Sequence, residues 1–166
     1  MTTFSFRQLC AAGLGVCAFG IAFALYLQSR GYEPCPMCIF QRVAMIATGL
    51  VFALGLLIGP RGVGRYLIAG LATITAAIGA GISGRQVWLQ HLPEDQVPAC
   101  GPTLDYLMDM FPLADVVKMI LQGDGSCARI DAQWLGITLP GWTLIAFIGI
   151  GLFAAALPYL AHRVAR

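Results

Sequence analysis

Four stretches of the chain carry no Asp, Glu, Lys or Arg: residues 8–29, 43–60, 66–84 and 132–162. About 20 mostly apolar residues are enough, as helix, to cross the hydrocarbon core of a bilayer. Backbone groups in lipid must pair within their own segment, which favours helices over open strands. No series of alternating segments of about 10 residues, as a β-barrel would need, is visible. The pattern therefore predicts four membrane helices, over about 9–27, 36–58, 66–88 and 140–160. They leave two outer loops, 28–35 and 89–139, and a short inner turn around Gly59-Pro60, which stops the second helix.

The long loop has its own period. Leu104, Leu107, Met108 and Phe111 recur at helical spacing with Asp105 and Asp109 opposite, Pro112 breaks the run, and Val116, Val117 and Ile120 resume it. An amphipathic stretch of this kind lies in the headgroup plane or packs on the ends of the bundle. The expected architecture is an all-α membrane protein: a single four-helix domain over 1–166, with an interfacial amphipathic segment in its long outer loop.

Composition agrees and narrows the class. Of 166 residues, 58% are apolar and only 11% charged, whereas ordinary soluble domains are about 25% charged. A soluble chain this short has too little interior for that much apolar surface, and disorder needs the opposite composition. A net charge of +2 without any basic run argues against nucleic acid. The charges also orient the chain. Arg7, Arg61, Arg65, Arg163 and Arg166 share one side with no acid, while all eight acids lie on the other with Arg30, Arg42, Arg85, Lys118 and Arg129. An excess of Lys and Arg in short loops marks the cytoplasmic side, so both termini are expected inside. Trp88, Trp134 and Trp142 then fall near the outer interface. A cleaved signal peptide is the alternative for the first span, but its apolar stretch exceeds the usual 7–15 residues.

The candidate chemistry is in the cysteines. Of six, Cys35, Cys38, Cys100 and Cys127 lie outside and Cys10 and Cys17 lie within the first helix. In a bacterial setting the outer four face an oxidising compartment. Cys35-Pro36-Met37-Cys38 opens the second helix; two cysteines so spaced close a small, readily exchanged ring. The helix N-terminus favours a thiolate there, and Pro36 suits the first turn. Arg42, four residues after Cys38, rises on the same face; it can stabilise a thiolate, meet an oxygen of a bound acceptor, or simply snorkel. Cys100 and Cys127 form a second pair, either a loop staple worth about 3–4 kcal/mol or an exchange partner for the first. Zinc on four cysteines is disfavoured, because this spacing is not that of paired knuckles; no metal is expected. Cys10 and Cys17 read as small core residues.

Taken together, these residues resemble the disulfide-bond formation protein B family of bacterial inner-membrane thiol oxidases. The likeness rests on Pro34-Cys35-Pro36-Met37-Cys38-Ile39-Phe40-Gln41-Arg42, Leu89-Gln90, Cys100, Cys127-Ala128, Leu135-Gly136 and Pro140-Gly141-Trp142. It implies a relay in which a periplasmic thioredoxin-fold oxidase of the DsbA type is reoxidised by Cys100 and Cys127. Cys127 then passes electrons to Cys35, and Cys38 faces a membrane quinone, ubiquinone or menaquinone, with Arg42 at the quinone oxygen. DsbA-type oxidases sit near about −120 mV and ordinary structural disulfides below about −300 mV, a gap of roughly 8 kcal/mol that an acceptor from the respiratory chain offsets. Two positions depart from the family: Gln86 stands where many members carry His, and Ala132 where some carry Trp. An amide can hydrogen-bond a quinone carbonyl but cannot protonate it, so Gln86 is expected to bind the quinone. His91 is five residues on and about 140° round the helix, so it does not replace that His. The rival readings are a vitamin K epoxide reductase-like enzyme, whose CxxC comes late in the chain, and a small metal-ion transporter, which expects ligands in mid-membrane.

Overall fold

A computed structural model describes residues 5–32, 34–93, 96–97, 104–123, 125–128, 130 and 133–162. In chain order it contains α1 (Phe6–Ser29), α2 (Pro36–Ile58), α3 (Val63–Leu89), α4 (Leu104–Met110), α5 (Leu113–Gln122), α6 (Gly125–Ala128), β1 (Gln133–Trp134), β2 (Ile137–Thr138) and α7 (Leu139–His162). The four helices long and apolar enough to cross a membrane are α1, α2, α3 and α7. The protein is a four-helix membrane protein.

α2 starts at Pro36, where the charge-free pattern places it, whereas α1, α3 and α7 start one to three residues earlier than expected. α1 begins at Phe6 because Ser5 and Gln8 form a capping box: Gln8 N–H donates to Ser5 Oγ at 3.3 Å, and Ser5 N–H to Gln8 Oε1 at 2.8 Å. At the inner end Arg7 Nε donates to Leu56 O at 2.9 Å, placing a cation on the carbonyl end of α2. α7 continues through Pro158 to His162.

Side-by-side packing follows the chain: α1 on α2, α2 on α3, and α3 on α7 along much of their lengths. α1 meets α7 far less extensively, which leaves a seam between the first and last helices. The inner core gathers Phe6, Cys10, Cys17, Phe52, Ala72, Ala76, Phe147 and Leu157; Cys10 and Cys17 are small buried side chains here, as expected. Close approach depends on Gly79, where an added Cβ would lie 2.3 Å from Phe147 Cε1. One polar link crosses this apolar region, Thr48 Oγ1 to Thr75 Oγ1 at 3.0 Å.

A second core caps the outer ends of α2 and α3. Met37 and Leu89 meet Leu107 of α4, Val116 and Ile120 of α5, and Cys127 of α6. The amphipathic segment thus packs on the bundle with Leu107, Val116 and Ile120, and leaves Met108, Met110, Phe111 and Leu113 exposed on its far side. An apolar face of that kind suits the headgroup boundary. Residue 103 and the side chains of Leu104 and Asp105 lie outside the described residues. Between α6 and α7 the chain makes a two-residue hairpin, Gln133 opposite Thr138 and Trp134 opposite Ile137. Its turn uses positive φ at Leu135 (54°) and Gly136 (78°), the backbone a tight hairpin needs.

Gly79→Ala should destabilise the bundle by about 1–3 kcal/mol through overpacking against Phe147. Thermal unfolding in detergent measures this, and Phe147→Leu in the same chain should recover part of the loss; an unchanged Tm would show that the ring moves freely aside.

Candidate thiol relay site

The outer end of α2 is where the local rules of helix initiation place a sulfur. Cys35 is the N-cap residue, in extended conformation, and its Sγ accepts from Cys38 N–H at 3.4 Å. The role is usually taken by a Ser, Thr or Asp oxygen. Pro36 follows in the first turn, where its missing N–H costs nothing. One helical turn then brings the Cys35 and Cys38 sulfurs within 2.9 Å of each other.

Gln86, buried on α3 at 3% exposure, faces this pair. Its Nε2 donates to Cys35 Sγ at 3.3 Å and to Cys38 Sγ at 3.5 Å. On its other side its Oε1 accepts from Gln41 Nε2 at 2.8 Å. Gln41, equally buried on α2, was not among the residues singled out from sequence. A polar residue in an otherwise apolar helix, one position before the arginine of the motif, was the available signal.

Cys127 enters from the docked outer segment. It is 1% exposed and hydrogen-bonds with Cys35, and this contact, then the one with Cys38, then burial push the Cys35 thiol well above its ordinary range. The three sulfurs of Cys35, Cys38 and Cys127 therefore meet at one point. Cys100 and Ala132 lie outside the described residues.

Arg42 is half-buried one turn below Cys38. Its guanidinium turns to α1, with Nη1 donating to Gln28 Oε1 at 2.5 Å and Nη2 to Ala24 O at 3.2 Å. His91, in the turn that follows α3, is exposed, with Nδ1 2.8 Å from Val87 O.

A cavity of about 400 Å³ opens beside the sulfurs, within the range of small-molecule sites. Cys35, Cys38, Gln41, Arg42 and Gln86 form its polar end. Its apolar walls come from the α1–α7 seam, including Val16, Phe19, Phe23, Trp142 and Ala146. Val16 and Phe19 are also exposed on the outer surface of the bundle, so the cavity reaches the face turned to lipid. The hairpin roofs this mouth: Trp134 stacks at a tilt on Phe23 with centroids 5.6 Å apart, and Trp142 Nε1 donates to Trp134 O at 3.2 Å.

What carries Cys127 to Cys35 is the junction of α5 with α3. Arg85 Nη2 donates to Gln122 O at 3.2 Å and Nε to Leu121 O at 3.4 Å, placing a cation at the C-terminus of α5. The same guanidinium lies 4.2 Å over the Trp88 ring. Gly123, at φ 80°, then turns the chain against Leu89, where a Cβ would lie 2.3 Å from Leu89 Cδ1.

A membrane-spanning bundle that holds three sulfurs together at one end, beside a cavity facing lipid, defines a membrane-embedded thiol oxidoreductase. Comparison with known proteins gives the family. The model for "Disulfide bond formation protein DsbB" matches residues 6–157. A disulfide bond formation protein B of Saccharophagus degradans is 48% identical over 147 residues, 88% of this chain and 89% of the relative. Those of Methylococcus capsulatus (46% over 155 residues, 93% and 94%) and Xanthomonas oryzae pv. oryzae (40% over 161 residues, 96% and 94%) are similar along nearly their whole length. The chain belongs to the disulfide bond formation protein B family, and is a multi-pass membrane oxidoreductase of disulfide formation.

Removing the Arg85 clamp, as in Arg85→Met, should loosen the α5–α6 junction and raise the rate of Cys127 alkylation in the reduced protein roughly tenfold, as expected for lost hydrogen bonds to a charged group. Peptide mass spectrometry reads the rate, and no change would mean that apolar docking alone holds Cys127. Cys35 should behave oppositely to a reactive thiol: its alkylation should still be rising with pH above its ordinary value of 9.0.

Proposed function

We propose that the protein reoxidises a periplasmic DsbA-type thiol oxidase and passes the electron pair to a membrane quinone. The observation that carries this reading is the Cys35–Cys38 sulfur pair at the polar end of a cavity open to lipid, with Cys127 hydrogen-bonded to Cys35. The charge asymmetry of the loops supports an inner-membrane orientation with both termini cytoplasmic and the cysteine pairs in the periplasm.

The reaction balances as four thiol–disulfide displacements. A thiolate of the reduced partner attacks Cys100 and breaks the Cys100–Cys127 bond; the partner's second sulfur then displaces Cys100, leaving the partner oxidised and this pair reduced. Next, the Cys127 thiolate attacks Cys35 of the Cys35–Cys38 disulfide, and Cys38 leaves with the electron pair. Cys100 then displaces Cys35 from Cys127, which restores the outer disulfide and leaves Cys35 and Cys38 reduced. The high proton affinity of the Cys35 thiol suits a sulfur that is attacked, since the better-leaving sulfur is the one more stable as thiolate. Departing charge on Cys38 meets two supports, the N-terminus of α2 and the Gln86 N–H at 3.5 Å.

The cavity fits a quinone by its chemistry: an apolar mouth for the tail and a polar end with Arg42 and the Gln86–Gln41 amides for the head. Arg42 has five N–H donors, and two of its nitrogens bond α1, so it can hold a carbonyl oxygen without leaving its place. When bound, a quinone accepts two electrons and two protons as the Cys35–Cys38 bond re-forms.

Anaerobic mixing with ubiquinone or menaquinone and excess reduced DsbA-type protein should bleach the quinone absorbance, and Cys38→Ser should abolish this. Reduction that persists in Cys38→Ser would overturn the proposal. Cys127→Ala should accumulate a mixed disulfide with the partner through Cys100, and an adduct through Cys35 instead would reverse the order of exchange. Gln86→Ala should raise the apparent quinone KM; an unchanged KM would remove Gln86 from the quinone's surroundings.

A further inference from the structure

Gln41 is a buried amide in a membrane helix, three residues below Cys38, and its neighbour across the helix interface is another amide. An unpaired polar group at such a place is costly, so the pair must satisfy itself. It does so with one polarity: Gln41 Nε2 donates to Gln86 Oε1 at 2.8 Å. A primary amide has an acceptor side and a donor side. Once the oxygen of Gln86 is engaged by Gln41, its NH₂ group is left to face outward, and there it meets Cys35 Sγ at 3.3 Å and Cys38 Sγ at 3.5 Å. The Cys38 thiol also donates to Gln86 Oε1, over a longer 3.8 Å; that bond is lost when Cys38 is a thiolate, which can only accept, so the N–H side alone then serves it.

We propose that Gln41 is a positioning residue for thiol exchange: it locks the Gln86 amide so that an N–H donor always faces the Cys35–Cys38 sulfurs. The proposal deepens the relay reading and rests on it. In that role the Gln86 N–H stabilises the electron pair that Cys38 carries away when Cys127 attacks Cys35, and an oxygen in its place would repel it. Neither amide titrates, so the donor is present in every protonation state of the thiols. An ionisable side chain at either position would tie the orientation to pH.

The titratable or charged groups around the pair are few. α2 supplies Cys35, Cys38 and Arg42, whose guanidinium bonds α1, and α6 supplies Cys127. On α3, Arg85 turns to the end of α5, and His91, two residues past the end of α3, is exposed. On α1, Arg7 bonds the inner end of α2 and Arg30 is exposed past the outer end. α7 carries Tyr159, which is exposed, and His162 at its far end, and Asp115 and Lys118 of α5 are exposed.

Two variants test the idea, read by iodoacetamide alkylation of Cys38 in the fully reduced protein and by quinone reduction. Gln41→Leu frees Gln86 to rotate and should slow both roughly tenfold, the scale of a hydrogen bond to a charged sulfur. Gln41→Glu carries the sharper expectation. A protonated carboxyl still donates to Gln86 Oε1, whereas the ionised form accepts from Gln86 Nε2 and turns the oxygen onto the sulfurs. The rate of Gln41→Glu relative to the native protein should therefore be near one at low pH and fall as pH rises through the titration of Glu at 41. The Gln41→Leu ratio should be flat. A flat ratio for Gln41→Glu, or native alkylation in a folded Gln41→Leu, would overturn the role of Gln41. Should Gln41→Leu lose its thermal transition, Gln41→Met replaces it, and the titration of Gln41→Glu compares one folded protein with itself. Alkylation needs neither quinone nor partner. Native protein that fails to reduce quinone while the Gln41→Glu ratio falls with pH would therefore sink the relay and leave the amide lock standing.

Discussion

The N-cap of α2 is the constraint on which the site depends. A helix must begin with free N–H groups, and something must accept from them. Here the acceptor is the Cys35 sulfur, which takes the Cys38 N–H. That single requirement sets the two sulfurs one turn apart, points both toward α3, and puts them at the positive end of a helix dipole. Pro36 reinforces it by fixing the first-turn backbone. The Cys35–Cys38 pair is thus held by the same contacts that start a membrane helix, at the end of α2.

Everything else is arranged around that start. The inner half of the bundle is closed by small residues against aromatic rings, as Gly79 against Phe147. The outer half is closed by a separate core, in which Met37 and Leu89 receive Leu107, Val116, Ile120 and Cys127. Splitting the interior in this way lets the outer segment dock without the membrane helices rearranging. Arg85 and the turn at Gly123 then set where α6 falls, and hence that Cys127 arrives at Cys35 and not elsewhere on the bundle surface.

Much of this was legible in the sequence because charge is so expensive in lipid: four charge-free intervals locate α1, α2, α3 and α7 directly. The boundaries were read short, since the first turn of α1 holds Arg7 and Gln8, which hydropathy discounts but which the capping box with Ser5 requires. The hairpin at 133–138 escaped notice because Leu135 occupies a left-handed position that turn rules reserve for Asn, Asp or Gly. At the site, the spacing of Cys35 and Cys38 was plain, yet the partners of each were not. Gln86 was expected to meet a quinone and donates to both sulfurs; Arg42 lies one turn below Cys38 at the same cavity, as its spacing implied, and its hydrogen bonds to Gln28 and Ala24 were not foreseen. Long-range pairings across helix faces, like that of Gln41 with Gln86, have no local signature, because rotation about each helix axis decides them.

The weak seam between α1 and α7 gives the arrangement its direction. A fully closed bundle would bury the polar end of the cavity behind side chains on every side. Here the closing contact is the poorest of the four, so the space beside Cys38 continues outward past Phe19 and Phe23 toward lipid. Cys127 approaches Cys35 from α6, which packs on α3. In the proposed relay, electrons therefore enter Cys35 from the aqueous side and leave from Cys38 on the lipid side. The two sulfurs of one helical turn then separate a water-soluble donor from a lipid-soluble acceptor, and neither reactant has to pass the other to reach its sulfur.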